Sequence, residues 1–262
     1  MMAFASQSSY IPWAHQDDAV KAIISKLDEV EDRGSDALVI MPTGGGKTGT
    51  MGLYLADQMP VIAFPRVIVL QGRRRILKQN RTTISEITSH FCPKTSVVMA
   101  RDNDWSGDII FATVQSLSKP GRLREMGVVT HILIDEAHNS GSASYKRIIR
   151  YARKLNPYVK VIKFTATPNR ADGEPIATIE ELAYQITYAE LIDLGFLVPV
   201  NTRTIDLGLR KDFESIGISG NEFDMATLGA LLNKQIHHQS VVDHWIDQGG
   251  HLRRRTTAFC PT

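Results

Sequence analysis

The stretch that most limits what this chain can fold into is Met41-Pro42-Thr43-Gly44-Gly45-Gly46-Lys47-Thr48. Just before it, Ala37-Leu38-Val39-Ile40 is a short apolar run that reads as a buried strand. Just after it, Gly49 to Gln58 can continue as a helix. Strand, glycine loop, Lys-Thr and helix in that order form a phosphate cradle. Glycines let the backbone turn tightly and bring its N–H groups close to phosphate oxygens. The helix N-terminus adds free donors and the positive end of a dipole. On this reading Thr43 and Gly44 to Gly46 line the loop, Lys47 reaches the β- and γ-phosphates, and Thr48 holds Mg²⁺. The strict pattern has Gly where Met41 stands, so a plain glycine loop is the alternative, and a partner motif has to decide.

The partner is His131-Ile132-Leu133-Ile134-Asp135-Glu136-Ala137-His138. An apolar run ending in two acids puts both carboxylates at the C-terminal end of a strand, the edge where open α/β sheets bind ligands. Asp135 suits Mg²⁺, which prefers oxygen ligands and keeps several waters. Glu136 suits a general base for an attacking water. His138 is a candidate for coupling this site to its surroundings. The plain alternative, acids favoured at a helix N-terminus, loses weight beside the glycine loop.

Other strand ends carry polar residues. Val61 to Phe64 reads as a strand ending in Pro65-Arg66, with a helix from about Val67, and Arg66 is the favoured backbone contact. From Arg66 to Arg81 the chain has six cations and no acid, which fits a solvated helix face or a phosphate-contacting surface. Ser96 to Ala100 and Asp108 to Ala112 read as strands, the second running into Thr113-Val114-Gln115. Hydroxyls and amides there can grip sugar-phosphate oxygens, or Thr113 can cap a helix. Val159 to Phe164 is a strand ending in Thr165-Ala166-Thr167, hydroxyls that can bond the acids of the neighbouring strand. Ahead of the loop, His15 to Asp32 reads as a helix, and the Gln16 amide could read adenine with its donor and acceptor. Phe223 to Ile246 reads as one helix, and Thr256 to Cys260 as a last strand.

Composition excludes more than it selects. At 262 residues and roughly 150 per domain, one or two domains are expected. A net charge of +2 names no partner. Two cysteines, Cys92 and Cys260, make neither a disulfide framework nor a zinc site, and a reducing cytoplasm is the expected setting. No apolar run approaches a membrane span.

Taken together, Gln16, the glycine loop, Pro65-Arg66, Thr113 to Leu117, Asp135-Glu136-Ala137-His138 and Thr165-Ala166-Thr167 resemble a superfamily 2 DEAH-box helicase, and within it RadD-type helicases and the motor part of type III restriction enzymes. The resemblance implies two RecA-like P-loop lobes of three-layer α/β/α build around a mainly parallel sheet, with ATP and Mg²⁺ between the lobes and nucleic acid, DNA before RNA, across both. Residues 1–198 would be the ATP-binding lobe, 199–252 a partly helical connector, and 253–262 the start of a second lobe otherwise missing from the chain. Gln16 and Thr43 to Thr48 would bind nucleotide, and Thr48 and Asp135 the metal. Lys47, Asp135 and Glu136 would be catalytic. His138, Thr165 and Thr167 would couple the site to movement. Arg66, Thr113 and Gln115 would face nucleic acid. The arginine fingers would lie beyond Thr262. Two departures stand out: Trp13-Ala14-His15 precedes Gln16 where Arg-Pro is usual, and Lys163-Phe164 ends a strand where small or apolar residues are usual. The expected function is an ATP-driven helicase or translocase. The alternative from another class is a module that binds nucleotide and nucleic acid without turnover, and a small-molecule kinase is a third, weaker reading.

Overall fold

The computed structural model describes residues 10–29, 34–139, 141–168, 181–200, 202, 216–219, 222–233, 235–249 and 252. They fall into two compact units, Met1–Val198 and Pro199–Thr262. Residues 253–262, including the expected last strand, lie outside the described residues.

The first unit is built on one sheet. Its strands are β1 (Asp36–Ile40), β2 (Val67–Gln71), β3 (Thr95–Met99), β4 (Asp102–Asn103), β5 (Ile109–Thr113), β6 (His131–Ile134), β7 (Lys160–Thr165) and β8 (Leu182–Gln185). Their order across the sheet is β4-β3-β5-β2-β6-β7-β1-β8. Every described pairing is parallel except the short β3–β4 one. The central strands are apolar on both faces because helices cover both. Ala37, Val39, Val69, Phe111, Leu133 and Phe164 belong to one core, which includes Ile23, Leu27, Tyr54 and Ile84 of helices α1 (Ala14–Asp28), α2 (Lys47–Gln58) and α3 (Arg74–Ile87). Ile68, Ile110, Ile132 and Val161 face the other core, with Leu117, Leu123 and Ile148 of α4 (Val114–Leu117), α5 (Pro120–Glu125) and α6 (Ala143–Leu155). The fold is the three-layer α/β/α arrangement expected from the sequence. After β8 comes α7 (Tyr188–Asp193), closed by Gly195 at φ 77°.

Register matters most for function. Ile40 pairs with Thr165, Gln71 with Thr113, and Leu70 with Ile134. These pairings bring the residues that follow β1, β2, β5, β6 and β7 to one edge of the sheet.

Two expectations need correction. Val61 to Phe64 is no strand: Met59–Val61 is a 3₁₀ turn, and Val61 and Phe64 are 76% and 87% exposed. The strand is the next apolar run, Val67–Gln71, buried throughout. Arg66 therefore precedes a strand instead of ending one. The second correction concerns the single helix expected over Phe223 to Ile246. In the second unit a two-stranded ribbon, β9 (Ile218–Ser219) with β10 (Glu222–Phe223), precedes two helices, α8 (Met225–Leu232) and α9 (Gln235–Asp247), with Asn233 as a turn after the first.

Lys163 sits in the core strand β7 at 8% exposure because its ammonium bonds Asp36 at 3.1 Å and Glu181 at 2.6 Å. Asp36 is also paired with Arg153. A buried cation of this kind is tolerated only when paired.

His131, at the start of β6, is buried edge-on to Tyr54, with no hydrogen-bond partner for either ring nitrogen among the described residues. Burial, helped by the Lys160 charge, pushes its pKa down from 6.5 to about 4. Above pH 7 the ring is neutral in both states and costs nothing. As pH falls below 6.5 the unfolded chain takes the proton first, so stability is lost down to about pH 4. Between pH 7.5 and 4.5 urea unfolding should show a loss about 2–3 kcal/mol smaller in His131→Phe than in the wild-type chain. Parallel pH profiles would remove this role from His131.

Candidate functional site

Helix α1 fixes the glycine loop from behind. Its residue Gln16 is fully buried. The Gln16 Oε1 accepts the Trp13 backbone N–H at 2.9 Å, and Nε2 donates to the Gly46 carbonyl at 2.9 Å and to the Tyr10 hydroxyl at 2.9 Å. One residue earlier, His15 Nε2 donates to the Gly45 carbonyl at 2.8 Å. In a planar trans peptide the carbonyl and the following N–H point in opposite directions. Holding the Gly45 and Gly46 carbonyls toward α1 therefore turns the N–H groups of Gly46 and Lys47 to the other side, into the loop. Gly44 and Gly46 have φ of 84° and 90°, where a side chain is strained. A Cβ on Gly46 would also fall 2.4 Å from the Gln16 amide nitrogen. The Gln16 amide, expected from the sequence to contact adenine, is in this structure a clamp on the loop.

Lys47 opens α2, and its ammonium rests on the Met41 and Pro42 carbonyls at 3.1 and 3.4 Å. Burial holds its pKa below the ordinary lysine value, with the Glu136 and Asp135 charges opposing that shift. A part-buried ammonium whose hydrogen bonds, among the described residues, go to loop carbonyls is ready for an anion. Thr43 and Gly44 are exposed at the mouth of the loop.

Asp135 follows β6 and is 4% exposed. Its Oδ2 accepts two amide donors, Gln71 Nε2 at 2.7 Å and Asn80 Nδ2 at 2.9 Å. Its Oδ1 accepts the Glu136 N–H at 3.0 Å. Asn80, on α3, also accepts from the Thr48 hydroxyl at 3.0 Å, so one buried side chain bridges Thr48 and Asp135. Glu136 stands at φ 55°, a left-handed conformation uncommon for a residue with a side chain. Its carboxylate pairs with His138 Nδ1 at 3.3 Å. The Tyr145 phenol, on α6, is pushed up to about 12 by burial and by the charges of Asp135 and Glu136.

The structure thus brings Gly44 to Thr48, Asp135, Glu136 and His138 to one sheet edge. Thr165 is there too, fully buried, but its hydroxyl bonds the Thr167 backbone, donating to the carbonyl at 3.0 Å and accepting the N–H at 3.2 Å. The expected bond from Thr165 to the neighbouring acids is replaced by this local turn. Thr113 is buried. Gln115 is exposed and donates to the Gly72 carbonyl at 3.1 Å. Arg66 lies at the opposite edge, its backbone bonded to Thr130. The five residues of β2 put roughly 16 Å between it and this site. The cations that do follow β2 are Arg73, Arg74 and Arg75, all exposed. Gln71, Asn80 and Tyr145 went unread in the sequence because isolated amides and a lone phenol carry no motif spacing. Among the described residues no group of three or more His, Cys, Asp or Glu could hold a metal, and no helix is long and apolar enough to cross a membrane.

Comparison with known proteins gives the family context. The family described as "Type III restriction enzyme, res subunit" matches residues 9–170. IRC3 of Saccharomyces cerevisiae, named as a candidate ATP-dependent helicase, is 27% identical over 230 residues, covering 84% of this chain and 32% of its own. The Sclerotinia sclerotiorum ATP-dependent DNA helicase mph1 is 23% identical over 170 residues, covering 60% of this chain and 13% of its own. The chain spans a third or less of these relatives. Among solved structures, a nuclease-deletion mutant of the Type ISP restriction-modification enzyme LlaGI, in complex with a DNA substrate mimic, aligns with TM-score 0.54 at 18% identity over 71% of this chain and 21% of that one. The Sulfolobus solfataricus SWI2/SNF2 ATPase core in complex with dsDNA aligns with TM-score 0.52 at 19% identity over 66% and 36%. These two establish a shared RecA-like fold.

Gln16→Leu should leave the Trp13 N–H without its acceptor, whereas the Gly46 carbonyl keeps the Thr50 N–H at 3.0 Å. Each buried polar group left unsatisfied costs about 1–3 kcal/mol. Chemical denaturation should register a loss in that range. A change below about 0.5 kcal/mol, the scale of an inconsequential surface substitution, would show that the amide does not hold the loop.

Proposed function

The chain belongs to the family of the type III restriction enzyme res subunit, and we propose that it is the ATP-binding lobe of a DNA helicase or translocase. The observation that carries this is the meeting of Lys47, Thr48, Asp135 and Glu136 at one sheet edge, tied together through Asn80. The donor set fits the groups it would hold. The loop N–H groups and Lys47 suit a triphosphate, and Thr48 with Asp135 supplies the few oxygen ligands that Mg²⁺ takes from protein. Mg²⁺, when bound there, neutralises charge on the transferring phosphate.

The chain's own residues do the rest. Lys47 leaves its carbonyls and meets the β- and γ-phosphates. Glu136 orients water and accepts its proton, and His138 holds the Glu136 carboxylate in place. Gln16 acts on adenine only indirectly, by shaping the loop. Nucleic acid is proposed to run along the edge after β2 and β5, across Arg73 to Arg75 and Gln115, with DNA as the favoured form. Residues 199–252 would then serve as connector and 253–262 as the start of a second lobe, whose cations complete the charge stabilisation at the γ-phosphate. Thr167, with Thr165, is assigned to coupling. The proposed setting is the cytoplasm, where the exposed Cys92 thiol stays reduced.

DNA-stimulated hydrolysis, measured on this chain and on one extended by a second lobe, tests the reading. Lys47→Ala should abolish nucleotide binding in a fluorescent-analogue titration. In the extended chain Glu136→Gln should keep binding and slow turnover by about 10²–10⁴. Binding without turnover in both forms would favour a non-hydrolysing module.

Single-strand affinity should fall with salt, and Arg73→Ala should shallow the slope of log affinity against log salt by about 0.7 for each phosphate the side chain meets. Arg66→Ala, at the far edge, should leave the slope unchanged. A salt-independent affinity would rule out a backbone-tracking surface.

A further inference from the structure

The buried amide of Gln71 touches both the site and the rim beside it. At one end its Nε2 donates to Asp135 Oδ2 at 2.7 Å. At the other its Oε1 accepts the Gly72 N–H at 2.7 Å. The Gly72 carbonyl in turn accepts the exposed Gln115 amide at 3.1 Å. Beyond Asp135, Asn80 continues the chain of bonds to the Thr48 hydroxyl. Hydrogen bonds therefore link an exposed side chain on the rim, through the two peptides that meet at the Gly72 Cα and three buried side chains, to the start of α2.

We propose that Gln71 is a positioning residue that links occupancy of the Gly72–Gln115 rim by a nucleic-acid backbone to the orientation of the Asp135 carboxylate. The proposal rests on the reading of the site given above and adds the route by which its two ligands sense each other.

The physical argument is one of fixed capacity. The Gln71 amide has no freedom to rotate, because its oxygen needs the Gly72 donor and its nitrogen needs a carboxylate. A rotation by half a turn would set oxygen against the Asp135 carboxylate and nitrogen against the Gly72 N–H, two repulsions at once. Burial makes any broken bond in such a network expensive. When phosphate or sugar oxygens draw the Gln115 amide away from Gly72, the Gly72 residue shifts with its carbonyl, and the amide plane of Gln71 follows the N–H on the other side of the same Cα. Its Nε2 then moves relative to Asp135 Oδ2. Asn80 donates to that same oxygen, so the change passes to the Thr48 hydroxyl. Gln71 is well placed for this because β2 lies between β5, which leads to Gln115, and β6, which leads to Asp135. Coupling between two ligands is a reciprocal free energy, so it can be read from either side.

The test measures the affinity of a fluorescent non-hydrolysable ATP analogue with Mg²⁺, with and without a saturating mixed-sequence oligonucleotide. The wild-type chain should show affinities that differ by about fivefold or more between the two conditions, the low end of allosteric coupling. Gln71→Met keeps the length of the side chain and removes both hydrogen bonds, and the ratio should fall to below about twofold. Gln71→Glu, which can still accept from Gly72 but sets a second carboxylate against Asp135, should not restore it. A Gln71→Met protein that folds, binds both ligands and keeps the wild-type ratio overturns the relay and leaves the proposed function standing. A wild-type chain that binds neither ligand overturns both together.

A second measurement does not depend on any variant folding. Amide hydrogen exchange on the wild-type chain should show changed protection of the Gly72 N–H when the Mg²⁺-bound analogue binds in the absence of nucleic acid. Unchanged exchange at Gly72 under saturating analogue overturns the proposal.

Discussion

The architecture of the site depends on where two carbonyl groups point. His15 and Gln16 hold the oxygens of Gly45 and Gly46 against α1. Peptide planarity does the rest, presenting the next two N–H groups to the loop. A glycine loop alone has too much conformational freedom to keep that arrangement, since glycine loses more entropy on ordering than any other residue. The order is imposed from outside by a helix at whose start the Gln16 side chain accepts the Trp13 N–H. Phe196, stacked on Trp13 at 5.0 Å and edge-on to His15 at 4.9 Å, packs against the same helix start. A segment some 180 residues downstream thus supports the loop that a strict motif would describe in eight residues.

Much of this was legible in the sequence, and the legible parts share a cause. Lys47-Thr48 after a glycine loop, and Asp135-Glu136 after an apolar run, are constrained by chemistry that needs those residue types at a strand end. The strand containing Gln71 was harder. Val61-Ile62-Ala63-Phe64 and Val67-Ile68-Val69-Leu70 are both short apolar runs, and periodicity cannot rank them. The first carries Pro60 and Pro65 at its flanks, and only the second leads into the polar edge with Gln71. Reading the first as the strand places Arg66 at the wrong end of a strand and leaves Arg73 to Arg75 open between a solvated helix face and a phosphate-contacting surface. The break between α8 and α9 was hidden for a different reason: both helices are short and apolar positions continue across Asn233.

Charge inside the first unit follows one rule. Asp135 and Lys163 are both buried, and each is surrounded by groups that satisfy it, amides in the first case and carboxylates in the second. The two solutions differ in what they allow. A carboxylate held by neutral amides has its hydrogen-bonding needs met without a directly paired cation, and this is the arrangement at the candidate site. A lysine held by Asp36 and Glu181 has its charge cancelled locally, which suits a strand that only has to pack. The unusual Lys163 in β7 is therefore a structural solution, set apart from the site although it lies two residues from Thr165.

The position of β1 has a consequence for how the chain is made. Its neighbours are β7 and β8, and Ile40 pairs with Thr165. On a ribosome adding about 5–20 residues per second, the loop-bearing strand emerges on the order of ten seconds before its partner. Until then β1 has no neighbour in the sheet, and its apolar residues have only local cover from α1 and α2. The strand that anchors the site is thus made before both of its sheet neighbours, and its sheet hydrogen bonds wait for them.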